Sequence, residues 1–449
     1  MEEYLTVTVR DPIIARDGRP FGTGQRMGSL DWLYPSVITG SLRTILGNTA
    51  QANFSKQETI DALKKISIAG PLPFWDGRIF FPAPKDIIVK EEMDGAIIKR
   101  QACAIRPTEI KNSEGCDLPF SKGVLRPAMI SVQDEFKPAE IPAFWSADKM
   151  VEWLKSPKGK CFLVPPDTPN PEKEVKNGSQ FLPYPQKDTR THVKIDPELG
   201  SAEDEMLFRT VGLDFSLKGQ YHGIKISVKV EGDGIVIEGK SLDDLVASID
   251  CFGTLGGERR LVHWKTEKTE GQTESDGMQS QPSDKLWRGW NSSEEICDAL
   301  NTQNSEMKRL RLILATPAIF YNMTDICHGW LPGWLKYDGS SIEGAPPDAP
   351  QGLKLKLVSA CVDRWKPISG WSLEKTNQGN KRGPKPVRRL VPAGSVYFFE
   401  VVEGNAVDLV KTFWLKSICD IEEDRRDGFG LALWGVWDDF DKEQNLENN

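Results

Sequence analysis

YLTVTVRDP (4–12) and RLRLILATP (309–317) decide how this chain is read. Each is a run of β-branched or aliphatic residues that stops at a proline, the mark of a strand whose ladder ends where a donor is lost. Each also opens the same order of events. The first run leads eventually to SLDDLVASIDC (241–251), where Leu242, Leu245, Val246 and Ile249 recur at helical spacing. That helix is followed by GTLGGERR (253–260) and a short strand, LVHW (261–264). The second run leads to NAVDLVKTFWLKSIC (405–419), then RRDGFG (425–430), then LALWGVW (431–437).

Strand candidates fill the space between these ends. IKISVKV (224–230) alternates and turns through EGDG toward IVIEG (235–239), a hairpin signal. LKLKLVSACV (353–362) and GSVYFFEVV (394–402) take that place in the second half. Strand, helix, two strands, helix, strand is the ferredoxin-like order. Its repetition predicts an α+β chain of two tandem ferredoxin-like (RRM-like, βαββαβ) domains with loop insertions. The first helix of the second copy is weak, because CHGWLPGWL (327–335) carries glycine and proline.

The boundary between the copies is expected at KTEKTEGQTESDGMQSQPSD (265–284), whose one apolar side chain is Met278. Such a stretch buries too little to offset its ordering entropy. Domains are therefore expected at 1–264 and 285–449, with 265–284 as a disordered linker or loop. A proline-rich stretch at 164–188 reads as an insertion in the first of them.

Composition narrows the class. The chain has 449 residues, 39% hydrophobic and 27% charged, a globular balance that two domains with insertions accommodate. No apolar run approaches the roughly 20 residues of a membrane span. MEEYLTVTVRDP lacks the basic and apolar regions of a secretion signal, so a cytoplasmic location is expected. The eight cysteines form no CxxC pair and there are only four histidines, so neither a metal nor another cofactor is expected. Cys327 and His328 are adjacent without a second pair at ligand spacing. A net charge of −8 argues against a free-standing nucleic-acid binder, yet is compatible with a subunit whose RNA-facing groove alone is basic.

Several stretches have the chemistry to hold a polyanion. RDGRPFGTGQRMG (16–28) gathers Arg16, Arg19 and Arg26, four glycines and Phe21. Arginines fork onto phosphate oxygens, glycines let backbone N–H groups approach them, and a phenyl ring stacks on a base. The plainer alternative is a turn whose arginines pair with Asp17 and Asp31. In PSVITGSLRTILGN (35–48), Val37, Ile38, Leu42, Ile45 and Leu46 form one face. Ser36, Gly40, Arg43 and Gly47 form the other, bare enough for RNA or a packed helix to lie close. GGERR (256–260) and DGFG (427–430) read as glycine nests beside arginines at helix-to-strand junctions, nominating Arg259, Arg260, Arg426, Gly428, Phe429 and Gly430. KRGPKPVRR (381–389) is the densest basic run and adds Lys385 and Arg388. TRTHVKID (189–196) places His192 between Arg190 and Lys194. His192 reads as a positioning or stacking residue, or as a general base on a 2′-hydroxyl. P-loop, GxSxG and HExxH signatures are missing, so no catalytic residue is expected.

DPIIARDGRPF (11–21), PSVITGSLRT (35–44), FFPAPKD (80–86), THVKID (191–196), LGGERR (255–260), LATPAIF (314–320), GWLPGW (329–334), VPAGSVYFF (391–399) and DGFG (427–430) together resemble the Cmr-type RAMP proteins of type III-B CRISPR effectors. The resemblance implies a non-catalytic subunit that holds the 5′ repeat-derived handle of the guide RNA (crRNA). It also implies contact with the large polymerase/cyclase-like subunit and neighbouring RAMP backbone subunits. It assigns handle binding to the loop around Arg16 and Arg19, to Ser36 and Arg43, to His192, to Arg259 and Arg260, and to Gly428 and Gly430. Two other readings stand beside it: a RAMP endoribonuclease using His192 as base, and an RNA-free scaffold using GWLPGW.

Overall fold

The computed structural model describes residues 2–18, 28–94, 97–109, 117–120, 123–130, 135–155, 162–164, 180–216, 223–267, 288–302, 308–322, 329–372 and 383–438. The fold is mixed α/β, mostly sheet with few helices. It forms two compact units, neither of them a continuous run of chain. The first takes Met1–Pro71, Tyr184–Lys268 and Lys366–Arg389; the second takes Leu72–Pro183, Thr269–Trp365 and Leu390–Asn449. The units therefore interleave along the sequence and cut the chain differently from a single boundary at 265–284.

In the first unit the sheet runs Asp250–Leu255, Arg260–Glu267, Glu2–Val9, Lys225–Glu231, then the start of Ser67–Trp75. Glu2–Val9 pairs antiparallel with both of its neighbours, and Asp250–Leu255 antiparallel with Arg260–Glu267, with Tyr4 opposite Lys229 and Thr8 opposite His263. Period-two alternation puts Leu5, Val7, Ile226, Val228, Val262 and Trp264 on one face, and all are buried. Helix Pro35–Thr49 contributes Ile38, Leu42, Ile45 and Leu46 to the core. Each such side chain stabilises the unit by roughly 1.5–3 kcal/mol when fully buried. Helix Leu242–Ala247 starts where the Ser241 side chain accepts the Asp244 N–H, a regular cap. It stops sooner than its spacing predicts, because Asp250 and Cys251 pair with Lys265 and Trp264 instead.

Two expectations are corrected here. IVIEG does not return along 225–231. Both edges of that strand are occupied, so Val236 pairs with Ser241 and Ile237 with Lys240 in a small separate hairpin. Residues 265–267 are not linker but the end of strand Arg260–Glu267, with Lys265 opposite Thr6. The remainder of the expected linker, 268–284, lies outside the described residues. So does 165–179 of the proline-rich insertion, whose last residues form Phe181–Leu182 and begin the strand Gln186–Ile195.

The second unit has a sheet ordered Lys336–Tyr337, Ile342–Gly344, Lys354–Cys361, Val396–Glu403, Arg309–Leu314, Ala432–Val436. Its core is aromatic: Tyr397, Phe398, Phe399, Trp434 and Trp437 are all buried. Helix Ala406–Phe413 begins with an Asn405 side-chain cap on the Val407 N–H. The weak helix expected over 327–335 is not formed at 329–335, which turns through Gly329 at φ +84° and Pro332 before a short hairpin. Among the described residues no helix is long and apolar enough to cross a membrane.

Arg311 sits in the middle of strand Arg309–Leu314, buried. Its Nη1 donates to Asp86 Oδ2 at 2.7 Å, its Nη2 donates to the Trp153 carbonyl, and its guanidinium lies 4.8 Å from the Trp153 ring centroid. Trp153 Nε1 donates to Asp86 Oδ1 at 3.1 Å. Burial drives the Asp86 carboxyl above its usual range, and Arg311 and the Trp153 indole oppose that shift by favouring the charged form. Removing one partner strands a charge in the core. Asp86→Ala should cost about 3–5 kcal/mol, read as a lower midpoint in urea unfolding. A loss below ~1 kcal/mol would show that the pair holds little together.

Candidate nucleic-acid interface

Segment 13–18 runs between two structural rails of the first unit. On one side Ile13 bridges Leu213. On the other, Gly257 N–H donates to Ile14 O at 2.7 Å. A Cβ on Gly256 would fall 2.6 Å from that same oxygen, so the turn needs glycine there. The segment doubles back through an Arg16–Ser29 bridge and the Asp17 N–H to Gly28 O bond of 2.9 Å. Arg16 is exposed. Arg19, Phe21 and Arg26 lie outside the described residues.

GGERR is not a helix-to-strand junction. It is the turn of the hairpin between Asp250–Leu255 and Arg260–Glu267, because the preceding helix ends early and leaves 250–255 to pair. Glu258 (φ +55°) and Arg259 (φ +50°) are consecutive left-handed residues without being glycine. Arg259 is exposed, and Arg260 Nη2 lies 2.6 Å from Glu258 Oε2. Of the aspartates weighed as partners for the loop arginines, Asp31 faces lysines instead. Its carboxylate is 2.7 Å from Lys187 Nζ and 3.9 Å from Lys366 Nζ.

The basic run at 381–389 belongs to this unit as well. Lys366–Ile368 pairs with Arg388–Leu390, and Lys385 N–H donates to Gly370 O at 2.7 Å. Gly18 N–H donates to Pro367 O at 3.1 Å, which joins this segment to the one carrying Arg16. Lys381 and Arg382 lie outside the described residues.

His192 stands on a two-stranded ribbon, Gln186–Ile195 against Ala202–Asp214. Its ring stacks on Phe208 (5.2 Å, 16°) and its Nε2 is 2.7 Å from Thr210 Oγ1. Phe208 is 51% exposed, and Val193, Ile195 and Leu207 are exposed beside it. At about 3.4 Å per residue, His192 is roughly 17 Å along the ribbon from Lys187. Lys194 is exposed one residue beyond Val193. Phe208 is not among the sequence candidates: LFRTV (207–211) sets two apolar residues side by side and then two polar ones, so it carries no period-two signal, and its place opposite His192 comes from the pairing of the two strands.

On helix Pro35–Thr49 the bare face divides. A Cβ on Gly40 meets nothing within 4 Å, whereas one on Gly47 would lie 2.5 Å from Phe54. Packing against the Phe54 ring therefore explains Gly47, and Gly40 lies open. Ser36 is half-buried and makes no side-chain cap. Arg43 Nη2 donates to the carbonyls of Lys64 (3.4 Å) and Ile66 (2.9 Å), closing the end of helix Gln57–Lys64.

DGFG takes a different course. Phe429 is 1% exposed, so its ring is not available to stack on a base. Thr316 Oγ1 donates to Gly428 O at 2.7 Å and Gly430 N–H donates to Pro317 O at 2.8 Å. A Cβ on Gly430 (φ +69°) would lie 2.7 Å from Cys419 Sγ. The glycines here serve a buried turn, which corrects the nest assigned to Gly428, Phe429 and Gly430. Arg426 pairs with Glu422 one helical turn back. In the GWLPGW stretch, Trp334 Nε1 donates to Ile418 O at 3.0 Å and Tyr397 Oη donates to Trp330 O at 2.6 Å.

These placements give opposite expectations for three substitutions. Gly430→Val should destabilise by at least about 1–3 kcal/mol from its backbone conformation, and Arg43→Ala by about 1–2 kcal/mol through its unpaired carbonyls. Arg259→Gly should leave stability unchanged or raise it by up to ~1 kcal/mol, since it relieves a left-handed residue. Thermal unfolding of the three variants checks the order, and a destabilised Arg259→Gly would contradict it.

The chain is similar to solved structures across most of its length, at low identity. A chain of a type III-B Cmr-beta complex bound to cognate target RNA gives a TM-score of 0.41 at 12% identity, covering 96% of each chain. A second such complex, with target RNA and AMPPnP, gives 0.40 at 12% over 88% of this chain and 86% of the other. A chain of a Csm3–Csm4 subcomplex of the type III-A CRISPR-Cas interference complex gives 0.32 at 9%, over 89% and 94%. No curated protein is significantly similar in sequence. The family model described as CRISPR-associated protein (Cas_Cmr3) matches residues 5–437, and the chain belongs to that family.

Proposed function

We propose that this chain is a non-catalytic, guide-RNA-holding subunit of a type III CRISPR ribonucleoprotein, built on two ferredoxin-like halves. Supporting the fold reading, the four main strands of each sheet stand in the order fourth, first, third, second, counted from 2–9 and from 309–314. Supporting the RNA reading is one observation above the others. Arg16, Arg259, Arg260, Lys385 and Arg388, drawn from three separate stretches of chain, all belong to the first unit. Cations gathered this way give a surface that tracks a sugar-phosphate backbone without reading its bases. The ribbon adds Lys194 and the His192–Phe208 stack, chemistry suited to an unpaired base.

The 5′ repeat-derived handle is the part of the guide that this surface would hold, and the large polymerase/cyclase-like subunit and adjacent backbone RAMP subunits are its partners in this reading. His192 serves as a stacking residue rather than a base: one face lies on Phe208, and its Nε2 is occupied by a hydroxyl with no basicity of its own. With a net charge of −8 the isolated chain repels RNA at long range, so the assembled particle is the proper test object.

In a reconstituted complex, labelled guide RNA should be captured and stay intact. The Arg16→Gln/Arg259→Gln pair should weaken capture and flatten its salt dependence by about 0.7 in slope per lost phosphate contact. An unchanged slope would remove these arginines from the interface. Metal-independent cleavage that disappears in His192→Ala would overturn the non-catalytic reading.

A further inference from the structure

Gly18 marks a place where two backbones meet with no room for a side chain. A Cβ built on it would lie 2.5 Å from the carbonyl carbon of Ile368, 2.5 Å from Ser369 N and 2.8 Å from Ile368 Cα. All three are main-chain atoms, so no rotamer change makes space. The residue opposite is part of a strap, 366–372 with 383–389, that comes from late in the chain yet belongs to the first unit. Within the strap, Ser369 Oγ donates to Lys385 O at 2.7 Å, and Lys385 N–H donates to Gly370 O at 2.7 Å. Lys366–Ile368 pairs with Arg388–Leu390. Fixing residues 367–369 therefore fixes the backbone that carries Lys385 and Arg388. On the other side of the contact, the Arg16–Ser29 bridge and the Leu30 N–H to Ala15 O bond of 3.0 Å hold the segment carrying Arg16. A second tie, Lys366 Nζ to Asp31 Oδ2 at 3.9 Å, is exposed and weak by comparison.

We propose that Gly18 is a positioning residue: its missing side chain lets the strap dock against the segment carrying Arg16, so that one single-stranded RNA meets Arg16, Lys385 and Arg388 as a continuous phosphate-binding surface. This deepens the RNA-holding reading and rests on it. The strap's cations act through their placement. Loosening the strap spreads them over many positions, and an ordered cation near a phosphate binds more tightly than one that must be ordered on contact.

The test uses the full chain in its reconstituted ribonucleoprotein, with labelled guide RNA titrated across salt and hydrogen exchange followed on the same samples. Gly18→Val should speed exchange over 366–372 and 383–389, weaken RNA binding on the order of tenfold, and flatten the salt slope as much as Lys385→Gln/Arg388→Gln does. The triple variant should lose little more than either parent. Gly370→Ala, whose added Cβ meets only Lys385 Cδ at 3.8 Å, should behave as wild type. The proposal is overturned if Gly18→Val frees the strap without moving the slope, or if its loss adds in full to that of Lys385→Gln/Arg388→Gln. Should Gly18→Val not fold, Lys385→Gln/Arg388→Gln in the intact particle decides: an unmoved slope refutes the composite surface. Absence of RNA capture by the wild-type particle would instead sink the underlying reading.

Discussion

A guanidinium in the centre of a β-sheet has to be neutralised, and the groups that neutralise and cover Arg311 come from 225 residues earlier, at Asp86, and 158 residues earlier, at Trp153. Leaving either charge alone in that core would cost a large share of the unit's stability, since a whole domain is stable by only about 5–15 kcal/mol. The pairing therefore commits the stretch around residue 86 and the helix Ala147–Lys155 to the second unit. Gly435 reinforces the commitment, because its missing side chain lets strand Ala432–Val436 approach Leu154. The interleaving of the units follows from this. Once 72–183 is committed to the second unit, the first is assembled from what remains on either side of it, together with the strap.

Two glycine-rich turns that look alike in sequence end in different physical states. In GGERR, Gly256 and Gly257 lie against the Ile14 backbone, while Arg259 points its chemistry outward from a left-handed residue. In DGFG the backbone groups are consumed by Thr316 and Pro317 and the phenyl ring is buried. The difference lies in the neighbours. A turn at the rim of an antiparallel hairpin keeps its outer face, whereas one buried against 316–317 must satisfy its polar groups internally. Glycine spacing carries none of that information.

Local patterning carried most of the fold. The two opening strands, the strands at 354–361 and 396–403, and the helices at 242–247 and 406–413 were readable from their apolar patterning. The pairing of 236–237 with 240–241 was not, since it depends on which sheet edges are already taken. Nor was the affinity of 72–183 for the later half of the chain, because a single buried Asp–Arg pair has no local signature. The candidate site was partly legible for the same reason. Residue type singled out Arg16, Arg259 and the 381–389 run separately. The segments that carry them are joined by Gly257 on Ile14 and Gly18 on Ile368, contacts between residues far apart in sequence. Arg43 is a conspicuous cation whose Nη2 serves carbonyls at the end of a neighbouring helix.

What unites these observations is that segments remote in sequence, each carrying cations, are joined in the first unit by backbone-to-backbone contact. The most direct measurement is a photocrosslinking map between this chain and the guide RNA in the assembled particle, read by mass spectrometry at residue level. Adducts are expected at Arg16, at 259–260, on the 383–389 limb of the strap and on the ribbon at 192–194, with none at 428–430. Adducts confined to the second unit, with the first unit bare, would contradict this expectation.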